Sequence, residues 1–364
     1  MPYTKPARLL AAALCLATAP ALAELRVVTS IKPLSLLAQG VAPAGTSVTT
    51  LVPPGSSPHN YNMKPSQRRA LADADVIFWV GPEMETFLTR LLSGDDFRDR
   101  TVSLALEEPA MAGSDEADEH DQHDHESDKH EHDDHDDHGH DDGHKDHAEH
   151  DGHEEHREHN DHAEHEEDEE DEEHKKQDSH AHGHHDHGDG EDPHIWLDPV
   201  LAGDMAKSMH DAMAQQPNAD TDALARNLAQ FQSRLKTTEA EIRAKLEPVH
   251  DIGLFAYHNA FVRFAEHYAL KLEGVLTINP ELSPGARHIA KVQKQLGQSN
   301  HPCLLTEPQF NPGIWETITE NLDVTFSTWD PLATDVPEGP DGYLAFQHAI
   351  ADAVLECLPE HAEH

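Results

Sequence analysis

The chain has 364 residues, with 70 Asp and Glu against 26 Lys and Arg, 33 histidines and a formal charge of −44. That balance excludes nucleic acid as a partner, because phosphate backbones select for Lys and Arg. The charge is concentrated: Ser114–Asp192 holds 36 acidic and 5 basic residues and 22 of the histidines, a net −31, which leaves the rest of the chain at −13. The chain is therefore two materials, a polar insert and a body of roughly 260 residues, enough for one large domain or two lobes.

Lys5 and Arg8 precede an apolar stretch, Leu9 to Ala19, and Ala21-Leu22-Ala23 has the small-x-small form of a cleavage site. Residues 1–23 are expected to be a signal peptide, cleaved after Ala23 on export to the periplasm. The apolar stretch is too short to span a bilayer, and no later segment reaches about 18 apolar residues. Cys15 lies inside that stretch, ahead of the cleavage site, which argues against a lipid anchor. Cys303 and Cys357 remain in the exported chain. In an oxidising compartment two such cysteines are expected to pair, and closing the long loop between them adds about 3–4 kcal/mol.

The body opens with a β-branched run at Leu25–Ser30, then a helix over Pro33–Val41, a strand over Val48–Val52 and the turn cluster Pro53-Pro54-Gly55-Ser56-Ser57-Pro58. A helix over Pro65–Ala74 leads into Val76–Val80, a continuous apolar run suited to a strand buried on both faces of a parallel sheet. Residues 24–113 form the first part of an N-terminal α/β lobe, which 193–219 completes. From Asp220 to Leu246 the apolar residues Leu224, Leu228, Phe231, Leu235, Ile242 and Leu246 recur at helical spacing. Asp220 or Thr221 caps this helix and Pro248 stops it; it spans about 40 Å. A second α/β lobe occupies 249–364. Its strands are expected at Gly253–Tyr257, Val275–Ile278, Cys303–Thr306 and Val324–Phe326, and its helices at Phe261–Leu270, Ala286–Leu296 and Pro312–Asn321. The fold class is α/β: two lobes with mainly parallel sheets, joined by one long helix (220–248), with a metal site in the cleft between them.

Between Asp115 and Asp192 there is almost no aliphatic or aromatic residue, so nothing offsets the entropy of ordering the segment, and 114–192 is expected to be a disordered loop. A solvated linker needs no histidines. Here His144, His147, His150, His153, His156, His159, His162 and His165 recur every third residue, with acidic residues between most of them. In an extended three-per-turn conformation they line one edge about 9 Å apart. The expectation is several weak metal sites, each of one or two imidazoles plus carboxylates, that empty near pH 5 as the imidazoles protonate.

Outside the insert, three histidines stand at strand ends or turns, where α/β proteins place binding residues: His59 after the Pro-Gly-Ser turn, His194 just past the insert, and His258 at the end of the Leu254–Tyr257 strand. Asp330 occupies a comparable position. Three imidazoles and a carboxylate make a four-coordinate N/O set suited to Zn2+, with two members in each lobe. His210, His250, His267, His288, His301 and His348 lack a motif and read as surface or capping residues. Glu307 reads as a structural hydrogen-bonding group beside the cleft, and Trp79, Trp196, Trp315 and Trp329 as core and cleft walls. No phosphate-binding Gly-rich loop, His-Glu-x-x-His or Gly-x-Ser-x-Gly is present.

Several ordered segments carry a family resemblance. They are Gly55-Ser56-Ser57-Pro58-His59-Asn60-Tyr61, Val80-Gly81-Pro82-Glu83-Met84-Glu85, His194-Ile195-Trp196-Leu197-Asp198-Pro199, Tyr257-His258-Asn259-Ala260-Phe261, Asn279-Pro280-Glu281-Leu282-Ser283-Pro284-Gly285, Thr306-Glu307-Pro308-Gln309-Phe310 and Trp329-Asp330-Pro331-Leu332. Together they resemble the zinc-specific, ZnuA-type periplasmic binding proteins of ABC transporters across essentially the whole body, with the His-rich loop in the matching place. The resemblance implies that His59, His194 and His258 bind zinc. It also implies a preference for zinc over manganese, since manganese-carrying relatives tend to replace the third histidine by glutamate. Some members have an acidic residue just before the first histidine; Pro58 stands there in this sequence, which leaves Asp330, or else a water, as fourth ligand. A Cys303–Cys357 disulfide is implied as well.

The implied function is capture of Zn2+ in the periplasm and its delivery to a membrane permease, by a monomer that is not an enzyme, with periplasmic zinc chaperones as further partners. The rival readings are a zinc store or metallochaperone serving soluble apo-proteins, and a zinc hydrolase. A store needs only the insert. A hydrolase needs an open coordination position and a positioned base.

Overall fold

The computed structural model describes residues 24–105, 192–217, 219–277, 280, 283–311 and 313–359. The expected signal peptide, the loop 114–192 up to Glu191 and all eight regularly spaced histidines lie outside the described residues.

The apolar runs become the inner strands of two sheets. In the first, β1 (Arg26–Thr29), β2 (Ser47–Thr50), β3 (Val76–Trp79) and β4 (Thr101–Ser103) stand in the order β2-β1-β3-β4, every pair parallel. In the second, β5 (Leu254–His258), β6 (Leu272–Thr277), β7 (Cys303–Thr306) and β8 (Thr325–Thr328) repeat the pattern as β6-β5-β7-β8, again all parallel. Alternate side chains of the inner strands serve different layers, as the two-residue period of a strand requires. Val76 and Phe78 join the central core while Ile77 and Trp79 pack beneath the outer helices; Leu254 and Ala256 point to the centre while Phe255 points outward.

Helices complete both lobes. The first has α1 (Lys32–Val41), α2 (Pro65–Asp73), α3 (Thr86–Leu92) and α4 (Pro199–Ala214). Then comes α5 (Thr221–Lys245), with Asp220 accepting a hydrogen bond from the Ala223 amide as its cap. The second lobe has α6 (Val262–His267), α7 (Ala286–Leu296), α8 (Gly313–Thr319) and α9 (Gly342–Leu355). Helix α9 packs on α1 and α5 as well as on β8, so the C-terminal chain returns to the first lobe. Gly40 and Gly342 permit that approach. A Cβ at Gly40 would stand 2.9 Å from the Phe231 ring, and one at Gly342 2.6 Å from Leu36. One apolar cluster consequently runs through α1, α5, α9 and the inner faces of both sheets.

Cys303 and Cys357 form a disulfide with Cα atoms 5.5 Å apart, tying the start of β7 to the residues after α9. Several boundaries shift: the linker helix expected over 220–248 ends at Lys245, and two other elements change more. The helix expected over Phe261–Leu270 is a 3-10 turn, Asn259–Phe261, followed by the short α6, because Ala269 adopts φ 55° and ends it. The strand expected from Val275 begins earlier, at Leu272. No described helix is long and apolar enough to cross a membrane.

Candidate metal centre

The C-terminal ends of the strands carry the site, as open parallel sheets dictate. His59 stands beyond β2, after a turn in which Gly55 has φ 77°, and its amide donates to the Ser57 hydroxyl at 3.3 Å. His194 precedes a 3-10 turn, Ile195–Leu197, that is bolted in place through Trp196. The indole Nε1 of Trp196 donates to the Pro331 carbonyl at 2.8 Å, and its own carbonyl accepts from the Tyr343 hydroxyl at 2.7 Å. His258 is the last residue of β5.

These three histidines converge. Their ring centroids are 5.6 Å apart for His59 and His194, 6.0 Å for His59 and His258, and 5.0 Å for His194 and His258. One nitrogen from each lies within 4.8 Å of the other two, the one such cluster of metal-ligating groups among the described residues. They wall a cavity of about 20 Å3, room for a single ion or water.

Hydrogen bonds fix which nitrogens face inward. His194 Nδ1 is 2.6 Å from Asp192 Oδ1, and His258 Nδ1 is 2.7 Å from Glu307 Oε1. Carboxylates accept, so each Nδ1 carries its proton and each Nε2 presents a lone pair. Those two Nε2 atoms face each other at 3.3 Å. Two lone pairs at that distance repel unless a cation lies between them. Two nitrogens each 2.0–2.1 Å from a tetrahedral zinc stand about 3.3–3.4 Å apart, so the spacing suits the ion.

The electrostatics keep the rings available. Burial, with the neighbouring His194 and His258, brings the His59 pKa down from 6.5 to about 3, against an opposing pull from Asp192. Burial also lowers that of His194, although Asp192 works against it. Burial alone would raise the Asp192 carboxyl, but its hydrogen bond to His194 and the charges of His194 and Arg263 outweigh this and hold it below the usual carboxylate range. Arg263, on α6, donates through Nε to the Asp192 carbonyl at 2.9 Å and stands 3.6 Å from Asp192 Oδ2.

Asp330, the expected fourth donor, is not brought into the histidine cluster. Its Oδ1 accepts from Gln309 Nε2 at 2.6 Å and from the Leu332 amide at 3.0 Å, and its Oδ2 accepts from the Thr334 amide at 2.6 Å. Sequence reasoning missed Asp192, which it assigned to the acidic insert, although the Asp-Pro-His spacing marks it. Gln309 and Arg263 carried no comparable signal. Glu307 makes the expected hydrogen bond, and its acceptor is directed onto a site histidine. Of the histidines read as peripheral, His267 proves largely buried, with ring nitrogens 3.5 Å from Asp198 and 3.2 Å from Glu239.

Comparisons with known proteins give the family. The family model described as ZnuA, zinc-uptake complex component A periplasmic, matches residues 27–357. Among curated relatives, the high-affinity zinc uptake system protein ZnuA of Haemophilus influenzae is 37% identical over 94% of this chain and 96% of its own length. The protein of the same name from Yersinia pestis is 30% identical over 96% of both. Among solved structures, a crystal structure of ZnuA aligns with TM-score 0.59 at 19% identity, covering 91% of this chain and 99% of that one. The periplasmic zinc-binding protein TroA of Treponema pallidum aligns with TM-score 0.61 at 15% identity, covering 92% and 99%. With the family model matching from β1 through Cys357, the chain belongs to the ZnuA family of periplasmic zinc-uptake components.

Proposed function

We propose that the protein captures Zn2+ in the periplasm with high affinity and delivers it to the membrane permease of an ABC transporter, and that His59, His194 and His258 are the ligands of its tight site. The observation that carries this reading is the pair of inward-facing Nε2 lone pairs 3.3 Å apart, each fixed by a carboxylate behind its ring. Such carboxylate–histidine pairs set the tautomer and raise ligand basicity. Asp330 already has three donors, so the fourth position falls to solvent in this reading.

The lobes are read as 24–113 with 193–219, and 249–364, joined through 220–248. Residues 114–192 then supply additional, weaker zinc sites, residues 1–23 the export signal, and soluble zinc chaperones a secondary source or sink. The working form is a monomer. A binding protein is favoured over a hydrolase because the family to which the chain belongs is one of periplasmic zinc-uptake components. Transport is favoured over storage because a store needs only the His-rich segment, whereas this chain devotes two lobes to one buried site. A bacterial strain that retains its zinc permease but lacks its own binding protein should regain growth under zinc starvation when this chain is expressed. Absence of rescue, with the protein present in the periplasm, would contradict transport.

A further inference from the structure

We propose that Gln309 is a specificity-determining residue, whose side-chain amide holds Asp330 away from the metal and so keeps the site a three-imidazole set. This rests on the zinc-binding reading and deepens it by assigning the choice among divalent cations to a named contact.

The placement follows from the topology. Strands β7 and β8 are parallel neighbours, and β7 also pairs with β5, the strand that ends at His258. The segments leaving β7 and β8, Glu307-Pro308-Gln309 and Trp329-Asp330-Pro331, therefore emerge side by side next to that ligand. Gln309, Pro331 and Leu332 line the cavity walled by the histidines, whereas Asp330 does not. The amide stands in the wall, and the carboxylate is drawn back onto it at 2.6 Å.

Asp330 Oδ1 accepts two hydrogen bonds, one from Gln309 and one from the Leu332 amide, which fills both of its lone pairs. Only the Gln309 bond comes from a side chain that also faces the cavity. A carboxylate can receive nothing but the amide's NH2 group, so the Gln309 carbonyl is forced the other way. Its Oε1 is buried with no partner. An orphaned carbonyl in the site wall costs free energy, and the contact to Asp330 is what holds it there.

The consequence is chemical. Imidazole nitrogens suit zinc, whereas carboxylate oxygens suit harder ions such as manganese. With Asp330 restrained, a hard cation gains no oxygen from that carboxylate. If the restraint is removed, Oδ1 recovers a lone pair and the site acquires an oxygen donor of the kind manganese prefers. Gln309 thus acts by excluding the competitor as much as by favouring the cargo.

The test is made on the full-length protein. Zn2+ and Mn2+ affinities of the tight site are measured by chelator competition, and Co2+ absorption reports the donor set. Gln309→Met keeps the length of the side chain and removes the amide. It should narrow the Zn2+ to Mn2+ affinity ratio by about tenfold or more through tighter Mn2+ binding, and it should change the Co2+ spectrum. Adding Asp330→Asn should restore the parental ratio. Gln309→Ala, checked with Gln309→Met for parental circular dichroism, provides the second variant. An unmoved ratio in both variants would overturn the proposal, as would a narrowing that persists alongside Asp330→Asn. A parent protein with no tight zinc would overturn the binding reading and this proposal together, whereas a tight parental site with an unmoved ratio overturns only the role of Gln309.

Discussion

Asp192 Oδ1 lies 2.6 Å from Nδ1 of His194, two residues further along the chain. Asp192, at the end of the acidic segment, therefore belongs to the candidate metal centre, where it holds His194 with Nε2 facing inward. Arg263 secures Asp192 in turn, through its carbonyl and its carboxylate. Asp192→Ala should weaken zinc binding about 10–100-fold, the usual cost of losing such a supporting carboxylate. It should also let the zinc-free His194 ring sample both tautomers, which 15N chemical shifts of the imidazole would register. Unchanged affinity would show that the ring is positioned by packing alone.

Glu307 plays the corresponding part for His258, and it is more deeply buried. Glu307→Ala should cost a similar 10–100-fold in zinc affinity. A chelator competition at neutral pH measures it directly. An effect limited to thermal stability would reduce Glu307 to a structural role.

The pH response of the zinc-free protein contains two opposing contributions. His59 has its pKa lowered from 6.5 to about 3, so between those values the unfolded chain binds a proton that the folded one does not, and stability is lost as pH falls. Glu85, completely buried against Ser30 and the Val80 and Gly81 amides, is raised by burial from 4.5 to about 7. Its contribution is present in full below pH 4.5 and is lost as pH rises through 7. Glu85→Gln removes the second term. The fall in urea midpoint from pH 7 to pH 5 should then be steeper than in the parent. An identical slope would contradict the assignment.

Tyr343 ties the two lobes together. Its hydroxyl donates to the Trp196 carbonyl at 2.7 Å and accepts from Gln347 at 2.8 Å, all within the core. Tyr343→Phe strands the carbonyl and the amide, so a loss of about 1–3 kcal/mol in unfolding free energy is expected. Because the affected carbonyl belongs to the turn after His194, zinc affinity should fall as well. A stability loss without any change in zinc affinity would uncouple the core from the site.

Much of the body was legible because burial leaves a periodic trace. Val76–Val80 reads as a doubly buried strand, and Val76–Trp79 proves to be one; Cys303–Thr306 and Ala286–Leu296 fall where expected, and α5 starts within a residue of its expected start but ends at Lys245, short of 248. Less legible were α3, β4, α4 and α9. Helix α9 is apolar on most of its circumference because it packs against α1, α5 and β8 together, which erases a one-sided stripe. At the site, the three histidines were visible because each stands at a strand end or beside a turn. The hydrogen bonds that orient them were not, since Glu307 and Gln309 reach His258 and Asp330 only through the side-by-side placement of β5, β7 and β8. Asp192 was hidden by composition, as one more carboxylate at the edge of an acidic run.

Deleting Asp115–Asp189 should lower the number of zinc ions bound while leaving one tight ion, since the three site histidines and Asp192 all lie outside the deletion. Loss of the tight ion as well would contradict the division of labour between segment and site.

The most direct measurement is zinc titration with direct metal counting on the intact protein and on its His258→Ala variant. The intact protein should hold one tight zinc in addition to weaker ions, and the variant should keep the weaker ions and lose the tight one. A His258→Ala protein that still retains one tight zinc would contradict the three-histidine site.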